Sequence, residues 1–242
     1  LSSWDVWYSL KLAVTRGLSK TVKRADILMI GLLATAEATA EYVVAAKIAL
    51  LLVVVHNILN NVLRPRIGRF LGQDNWEAIS REYDQSRTVA FLSSLLGTVA
   101  LVLLGEPILA LFGDYEAAYS VLVVLTASHV VHTSFGMVGG YLNIAGYAGW
   151  TLGTTISLLI FNVVLNYTLI PLYGAMGAAI ATLTSYTTVN LITAGAVYYL
   201  EGLKVYSLEI GSITVAVVVL IGALATGMLG MGVATVGIGA AT

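Results

Sequence analysis

The feature that most constrains this chain is a long segment without a charged side chain. Residues 117–200 contain no Asp, Glu, Lys or Arg. As a helix, the segment would extend about 120 Å at ~1.5 Å per residue, enough for three or four crossings of a ~30 Å hydrocarbon core. A large soluble helical core would need charged faces toward water, and this segment has none. The chain is therefore predicted to be an all-α polytopic membrane protein.

The composition of the whole chain agrees with this prediction. It is 58% hydrophobic and 10% charged, whereas soluble domains carry roughly a quarter charged residues. The apolar runs predict about seven crossings, near 12–36, 41–63, 88–112, 117–145, 150–171, 174–200 and 208–226. The chain does not begin with Met and ends in an apolar, Gly-rich tail, so we expect a fragment of a longer protein. The absence of Cys excludes disulfides and thiolate metal sites from this chain.

Positive charges predict how the crossings are oriented. With these crossings, the Lys and Arg residues before Asp26, those between 64 and 87, and Lys204 all fall on one side. Loops rich in Lys and Arg remain cytoplasmic. The basic N-terminal region and the polar loop 64–87, in which Pro65, Gly68 and Gly72 are expected to break the helix, are therefore predicted to be cytoplasmic.

The N-terminal basic residues form a stripe on a predicted amphipathic helix. Helical spacing gathers Arg16, Lys20, Lys23 and Arg24 on one face. This pattern is typical of a helix that lies on anionic headgroups, and equally of a helix whose stripe lines a wet cavity. Both interpretations remain open from the sequence.

Polar residues inside the predicted spans are candidates for a substrate pathway, because such residues are costly in a bilayer and usually face a cavity or a partner. Lys47 is the one cation deep in an otherwise apolar span. The candidates on its predicted helix are Lys47, Asn57, Asn60, Asn61 and Arg64. They would form a stripe that meets a substrate phosphate, or else contribute interhelical hydrogen bonds and, for Arg64, snorkelling.

Other polar residues are open to both structural and functional interpretations. Arg24 and Asp26 diverge on a helix, so each needs a separate partner. The remaining pairs are Asn162 with Asn166, His129 with His132, and Glu37 with Glu41. Each pair shares one helix face. We interpret the asparagines as helix-packing groups or sugar ligands, the histidines as a packed pair or proton sensors, and the glutamates as solvated or ion-coupling.

Several segments resemble a known family. An Asn-bearing helix followed by Leu169-Ile-Pro171-x-x-Gly174-x-x-Gly-Ala-Ala-x-Ala-Thr182 resembles the late helices of polysaccharide flippases of the multidrug/oligosaccharidyl-lipid/polysaccharide (MOP) exporter superfamily. The run from Arg24 and Asp26 to Tyr42 resembles the family's seventh helix, and Leu111-Phe112-Gly113 resembles the end of its ninth.

The resemblance implies a fold and a function. Residues 1–203 would form the C-terminal six-helix lobe of a two-lobe transporter, and 204–242 an extra helix and a tail. The expected activity is movement of lipid-linked oligosaccharide or polysaccharide precursors across the cytoplasmic membrane by alternating access. Arg24 and Asp26 would face the cavity. Expected partners are the lipid-linked glycan, membrane lipids and the N-terminal lobe.

Three other functions remain open. They are a multidrug or cation antiporter of the same superfamily, a membrane-embedded glycan-processing enzyme, and a helical scaffold without transport. No Walker A, H-E-x-x-H or G-x-S-x-G motif is present in the chain. We therefore expect no ATP-driven engine, no enzyme activity, no cofactor, no metal site and no nucleic-acid partner.

Overall fold

The computed structural model describes residues 3–113, 115 and 118–239, with side chains described between 6 and 225 apart from 20, 22 and 23. Every regular element in this part of the chain is a helix. The α-helices are α1 (Ser3–Leu33), α2 (Ala36–Ala49), α3 (Val54–Leu71), α4 (Trp76–Ala110), α5 (Ala118–Ser134), α6 (Val138–Ile144), α7 (Ala148–Glu201) and α8 (Leu208–Gly239). A 3₁₀ segment, Leu50–Val53, joins α2 to α3.

Helices of this length and composition are suited to a bilayer. Among the described residues, five helical segments are long and apolar enough to cross it: Ala36–Leu71, Trp76–Ala110, Ala118–Ile144, Ala148–Glu201 and Leu208–Ala225. With 54 residues, α7 extends about 80 Å, more than twice a ~30 Å hydrocarbon core. It is long enough for two crossings. The charged residues of α1 set it apart from these apolar segments.

The kink of α7 lies at Gly174, which has φ 55° and ψ −131°. A side chain would be strained in this conformation. Three residues later, a Cβ on Gly177 would lie 2.3 Å from the Leu169 carbonyl oxygen. The two halves of α7 therefore pack backbone against backbone at Gly177, where only a hydrogen atom fits. We name these halves α7a (148–173) and α7b (175–201). The predicted break at Pro171 and Gly174 falls at this kink.

The centre of the bundle is α5, which is buried on almost every side. Its segment contains no charged residue, so burial costs no ionic desolvation. Its hydroxyls bond to its own helix: Thr126 donates to the Val123 carbonyl at 2.7 Å and Ser128 to the Leu125 carbonyl at 2.7 Å. Buried hydroxyls satisfied in this way need no partner from a neighbouring helix.

The polar loop predicted at 64–87 was wrong in extent. Helix α3 continues through Pro65 to Leu71, and α4 begins at Trp76, so the connection is only a short turn. Ile67 and Ile79 are completely buried in one cluster at this end of the bundle. Packing of these residues favours helix on both sides of the turn despite the local breakers.

The bounds of other predicted crossings also differ from the helices. The basic and apolar parts of the first crossing belong to one helix, α1, which ends at Leu33 rather than 36. Segment 117–145 is divided between α5 and α6, because Gly136 between them has φ 65°. The second crossing includes the 3₁₀ segment.

Candidate functional site

A polar cavity of about 770 Å³ lies where α1, α3, α5, α6 and α7 meet. Its cationic side chains are Arg16 and Arg64. Among the lining residues that the structure describes, none is Asp or Glu. The lining also includes hydroxyl, amide and imidazole groups, from Tyr8, Thr15, Ser19, His56, Asn57, Asn60, His132, Asn143, Thr151, Thr154, Thr155, Asn190 and Thr193. The cavity can therefore hold an anion that carries many hydrogen-bonding groups.

Helix α3 supplies one wall of the cavity. Asn57, Asn60 and Arg64 are spaced by three and four residues, so they lie on one face, and all three line the cavity. His56 precedes them, is buried, and its Nε2 lies 2.9 Å from Asn60 Nδ2. These residues form the polar side of α3.

Lys47 and Asn61, which the sequence predicted in the same stripe, do not line this cavity. Both are exposed on the described surface. The physical reason for Lys47 is the 3₁₀ segment, because four residues at about 120° each instead of about 100° rotate α2 by about 80° relative to α3. The prediction placed Lys47 in the same stripe as Asn57 because it assumed one uniform α-helix from α2 through α3.

Helix α1 contributes Arg16, Thr15 and Ser19 to the cavity lining. Tyr8, near its beginning, donates a hydrogen bond to the Asn143 carbonyl. Arg24 is exposed and is not part of the lining. The side chains of Lys20 and Lys23 lie outside the described residues. Part of the basic stripe thus lines a cavity.

A second polar cluster surrounds the Asp26 carboxylate, which is buried between α1, α2 and α7. Asn166 Nδ2 donates to Asp26 Oδ1 at 2.6 Å. Tyr42 and Thr182 donate to Asp26 Oδ2 at 2.9 and 3.0 Å. Asn166 Nδ2 also lies 3.0 Å from Asn162 Oδ1. We call these five residues the Asp26 cluster.

The charge of the Asp26 cluster is not balanced by any described cation. No Lys, Arg or His among the described side chains forms an ion pair with Asp26. Within the same part of the chain, Asn166 Oδ1 is buried and accepts no hydrogen bond. A buried carboxylate is costly unless it is protonated or paired. The cluster offers oxygen atoms suited to a proton or a hard cation.

The two histidines of α5 differ in their surroundings. His132 of α5 packs edge-on against His56 of α3, with ring centroids 5.1 Å apart. Tyr186 of α7b lies against the His132 ring at 5.4 Å, and Asn190 Nδ2 is 3.4 Å from His132 Nδ1. His129 is buried on α5 and is absent from the cavity lining. Only tertiary packing brings His56 and His132 together.

Glu37 and Glu41 lie away from the polar cavity. They belong to the first two turns of α2, where Glu37 is exposed and Glu41 half-buried. A carboxylate at a helix N-terminus interacts favourably with the helix dipole. No group of three or more His, Cys, Asp or Glu side chains gathers anywhere in the described part of the chain.

A groove of about 650 Å³ adjoins the polar cavity. Its floor includes Gly146, Gly149 and Gly153, with Trp150 and Ile192 beside them. Thr154 lines both the groove and the cavity. The groove therefore continues from a polar compartment to a largely apolar surface.

Sequence reasoning missed Tyr42, His56, Thr182 and Tyr186. A signal existed for His56, which is four residues from Asn60 and adjacent to Asn57. Thr182, Tyr186 and Asn190 are also spaced by four, which predicts one polar face on α7b. No local pattern connects Tyr42 to Asp26.

Comparisons with known proteins match most of the chain. A family model described as MatE matches residues 12–168. "Probable flippase AglR" of Haloferax volcanii is 30% identical over 171 residues, which are 69% of this chain and 36% of that protein. "Probable low-salt glycan biosynthesis flippase Agl15" of the same organism is 21% identical over 82% of this chain and 43% of that protein. The chain thus spans less than half the length of these relatives.

Solved structures share the fold. An outward-facing multidrug resistance MATE family transporter of the MOP superfamily has a TM-score of 0.69 at 18% identity, over 84% of this chain and 47% of that one. A MOP superfamily transporter from Pyrococcus furiosus, described as having a binding pocket of reverse polarity that suggests a different function, has a TM-score of 0.68 at 18% identity, over 95% of this chain and 53% of that one. The helices described above therefore have a MATE-like arrangement.

Proposed function

Because the chain belongs to the MatE family of the MOP superfamily, we propose that it is the C-terminal lobe of a flippase for lipid-linked oligosaccharide or polysaccharide precursors. The chain is part of a multi-pass membrane protein. In the proposed mechanism, this lobe and an N-terminal lobe rock about a central cavity, which opens alternately to either side of the membrane. The coupling of substrate and ion sites to this motion gives the transport its direction.

One observation carries the proposal: the polar cavity contains arginines and no described carboxylate. A phosphate would accept charge-assisted hydrogen bonds from Arg16 and Arg64, and each guanidinium can bind it through two donors. The many hydroxyl and amide groups around them match the hydroxyls of a sugar. The names of the two Haloferax volcanii relatives, a flippase and a glycan biosynthesis flippase, agree with this substrate class.

The groove beside the cavity supports a lipid-linked substrate. A headgroup in the cavity must be joined to a tail that remains in the bilayer, since its transfer to water is unfavourable. The groove leads from Thr154 past glycines to Trp150 and Ile192, and a Cβ on Gly153 would meet no atom within 4 Å. The proposed path of the lipid chain is this groove.

The Asp26 cluster is the proposed binding site of a coupling cation, either a proton or a monovalent metal ion. Its carboxylate lies between α1 and the two halves of α7, so a bound cation would hold these helices together. Because a charged and an uncharged carboxylate favour different surroundings, binding and release would bias the two orientations of the lobe.

The cavity gives less support to a drug or cation antiporter. A cationic drug in the cavity would need a carboxylate to offset its desolvation, and none is described there. Asp26 is not among the lining residues and already accepts hydrogen bonds from its neighbours.

We also propose the orientation of the protein. Arg64, Arg66 and Arg69 lie near the end of α3, before the short turn to α4. Lys and Arg remain on the cytoplasmic side of most membrane proteins. The end of α3 and the beginning of α4 would then be cytoplasmic in the cell membrane.

The test is a flipping assay with the full-length protein in liposomes. The substrate is a fluorescent lipid-linked oligosaccharide, and the readout is the fraction of headgroup that becomes accessible to an external quencher. Loss of one charge-assisted hydrogen bond costs about 1.5–3 kcal/mol, so Arg16→Gln and Arg64→Gln should each weaken substrate binding about 10- to 100-fold. Arg81→Gln is the matched control, since Arg81 is exposed and absent from the lining.

Two results would oppose the proposal. If all variants expose the headgroup at the wild-type rate, the arginines do not bind it. If the wild type moves no headgroup but exports a cationic dye, the antiporter is the better description.

A further inference from the structure

We propose that His56 and His132 form a proton-binding site at the wall of the polar cavity, which takes up a proton when a phosphate group enters. The proposal rests on the anionic substrate of the proposed function. It adds a second ligand, a proton, at a place distinct from the Asp26 cluster.

The geometry of the pair carries the first step. The two rings come from α3 and α5, with centroids 5.1 Å apart, and both line the cavity. A second proton on so close a pair would place two positive charges together. The pair is therefore suited to hold no more than one added proton, shared between the two imidazoles.

The neighbours of the pair explain how a substrate would change its protonation. Among the described side chains, the charged and titratable groups that share the cavity lining or contact the pair are Arg64 from α3, Arg16 and Tyr8 from α1, and Tyr186 from α7. The described lining from α6 contributes no titratable group. In the empty cavity, both guanidiniums oppose a further positive charge. A phosphate bound in the cavity offsets part of this positive charge, so protonation of an imidazole becomes more favourable.

Two side-chain amides contact the rings of the pair. His56 Nε2 is 2.9 Å from the Asn60 amide nitrogen, and Asn190 approaches His132 Nδ1 at 3.4 Å. Amides can turn to present either a donor or an acceptor. They can therefore support a neutral and a protonated ring without movement of the helices.

Tyr186 places this site close to the Asp26 cluster. Thr182, Tyr186 and Asn190 follow one another at intervals of four on α7b. Thr182 donates to Asp26 at 3.0 Å, while Tyr186 and Asn190 contact His132. One face of one helix thus touches both sites. Protonation of the histidines would therefore act on α7b, the helix whose Thr182 donates to Asp26.

The test measures proton uptake during binding. The full-length protein, in a detergent without sugar, is titrated with a short-chain polyprenyl phosphoglucose. Its phosphodiester keeps one negative charge throughout pH 5–8, so any exchanged proton comes from the protein. Calorimetry at pH 7 in two buffers with different ionisation enthalpies should give about 0.3 proton or more taken up per bound molecule. By reciprocity, the affinity should rise about 3- to 10-fold from pH 8 to pH 6.

Matched variants locate the proton. His56→Gln and His132→Gln should each still bind the ligand but lose at least half of the uptake, and His56→Asn and His132→Asn serve if a Gln variant does not fold. His129→Gln is the control, because His129 is the one other histidine of the chain and does not line the cavity. The corresponding polyprenyl glucoside, which lacks the phosphate, should bind without proton uptake.

The outcomes separate this inference from the proposed function. Binding of the phosphodiester without proton uptake, or with uptake unchanged in both histidine variants, would overturn the inference and leave the flippase intact. Absence of phosphodiester binding at any pH would overturn the proposed function and this inference together.

Discussion

Replacement of Asp26 by Asn tests whether the Asp26 cluster binds a cation. Asp26 accepts side-chain hydrogen bonds from Asn166, Tyr42 and Thr182 at 2.6–3.0 Å. Asn is close in size to Asp. Its Oδ1 can accept from Asn166, and its Nδ2 can donate to the hydroxyls of Tyr42 and Thr182, which can accept as well as donate, so the cluster should stay packed. The change removes the negative charge that would hold a cation.

The magnitude follows from linkage between binding and stability. A cation present at about 100 times its Kd stabilises the protein by about 2.7 kcal/mol if it binds only the folded state. For a unit of about 150–250 residues that unfolds cooperatively, that corresponds to a rise in Tm of very roughly 5–10 °C, and for a longer cooperative unit to a smaller rise. In Asp26→Asn this rise should disappear. Without cation, the variant should be at least as stable as the wild type, because a buried unpaired carboxylate is costly.

The assay is thermal unfolding of the full-length protein in detergent, at constant ionic strength. Na⁺, Li⁺ or K⁺ replaces choline, and a separate series varies pH, so that a proton and a metal ion are distinguished. Glu37→Gln is the control, since it removes an exposed carboxylate at the start of α2. Tyr42→Phe should retain the response but weaken it, because it removes one hydrogen bond from the carboxylate. An identical cation response in wild type and Asp26→Asn would refute the reasoning, as would no response of the wild type to any cation or to pH.

Two further predictions concern packing. Gly177→Ala should destabilise the protein by about 3 kcal/mol or more, because its Cβ would lie 2.3 Å from a backbone carbonyl of Leu169. The control is Gly195→Ala, whose Cβ would have no atom within 4 Å. It should raise or preserve Tm in the same thermal assay. Arg87→Met should lower the free energy of unfolding by about 2–3 kcal/mol, since the buried guanidinium of α4 donates to the Val205 carbonyl, before α8, at 2.8 Å. The exposed control Arg81→Met should leave Tm within about 1 °C of the wild type. Equal Tm values within either pair would contradict the corresponding packing argument.

The sequence alone determined the class of the fold. The uncharged segment 117–200 is too apolar to form the surface of a soluble protein. Within a bilayer, a long apolar segment satisfies its backbone hydrogen bonds by forming a helix. The break near Gly174 could also be predicted, because Pro and Gly act through the local backbone. Likewise, the interval of four between Asn162 and Asn166 predicted a shared face, and their side chains lie within hydrogen-bonding distance.

Only the tertiary structure decided which polar residues meet. Asp26 and Asn166 are 140 positions apart in the chain, and the His132 ring packs against the His56 ring of α3. The continuation of α3 through Pro65 depended on the burial of Ile67, and the departure of Lys47 from the cavity depended on a four-residue 3₁₀ segment. Local periodicity fixes the face of a helix on which a residue lies. The rotation and pairing of helices depend on side-chain packing across the whole bundle, which no short stretch of sequence contains.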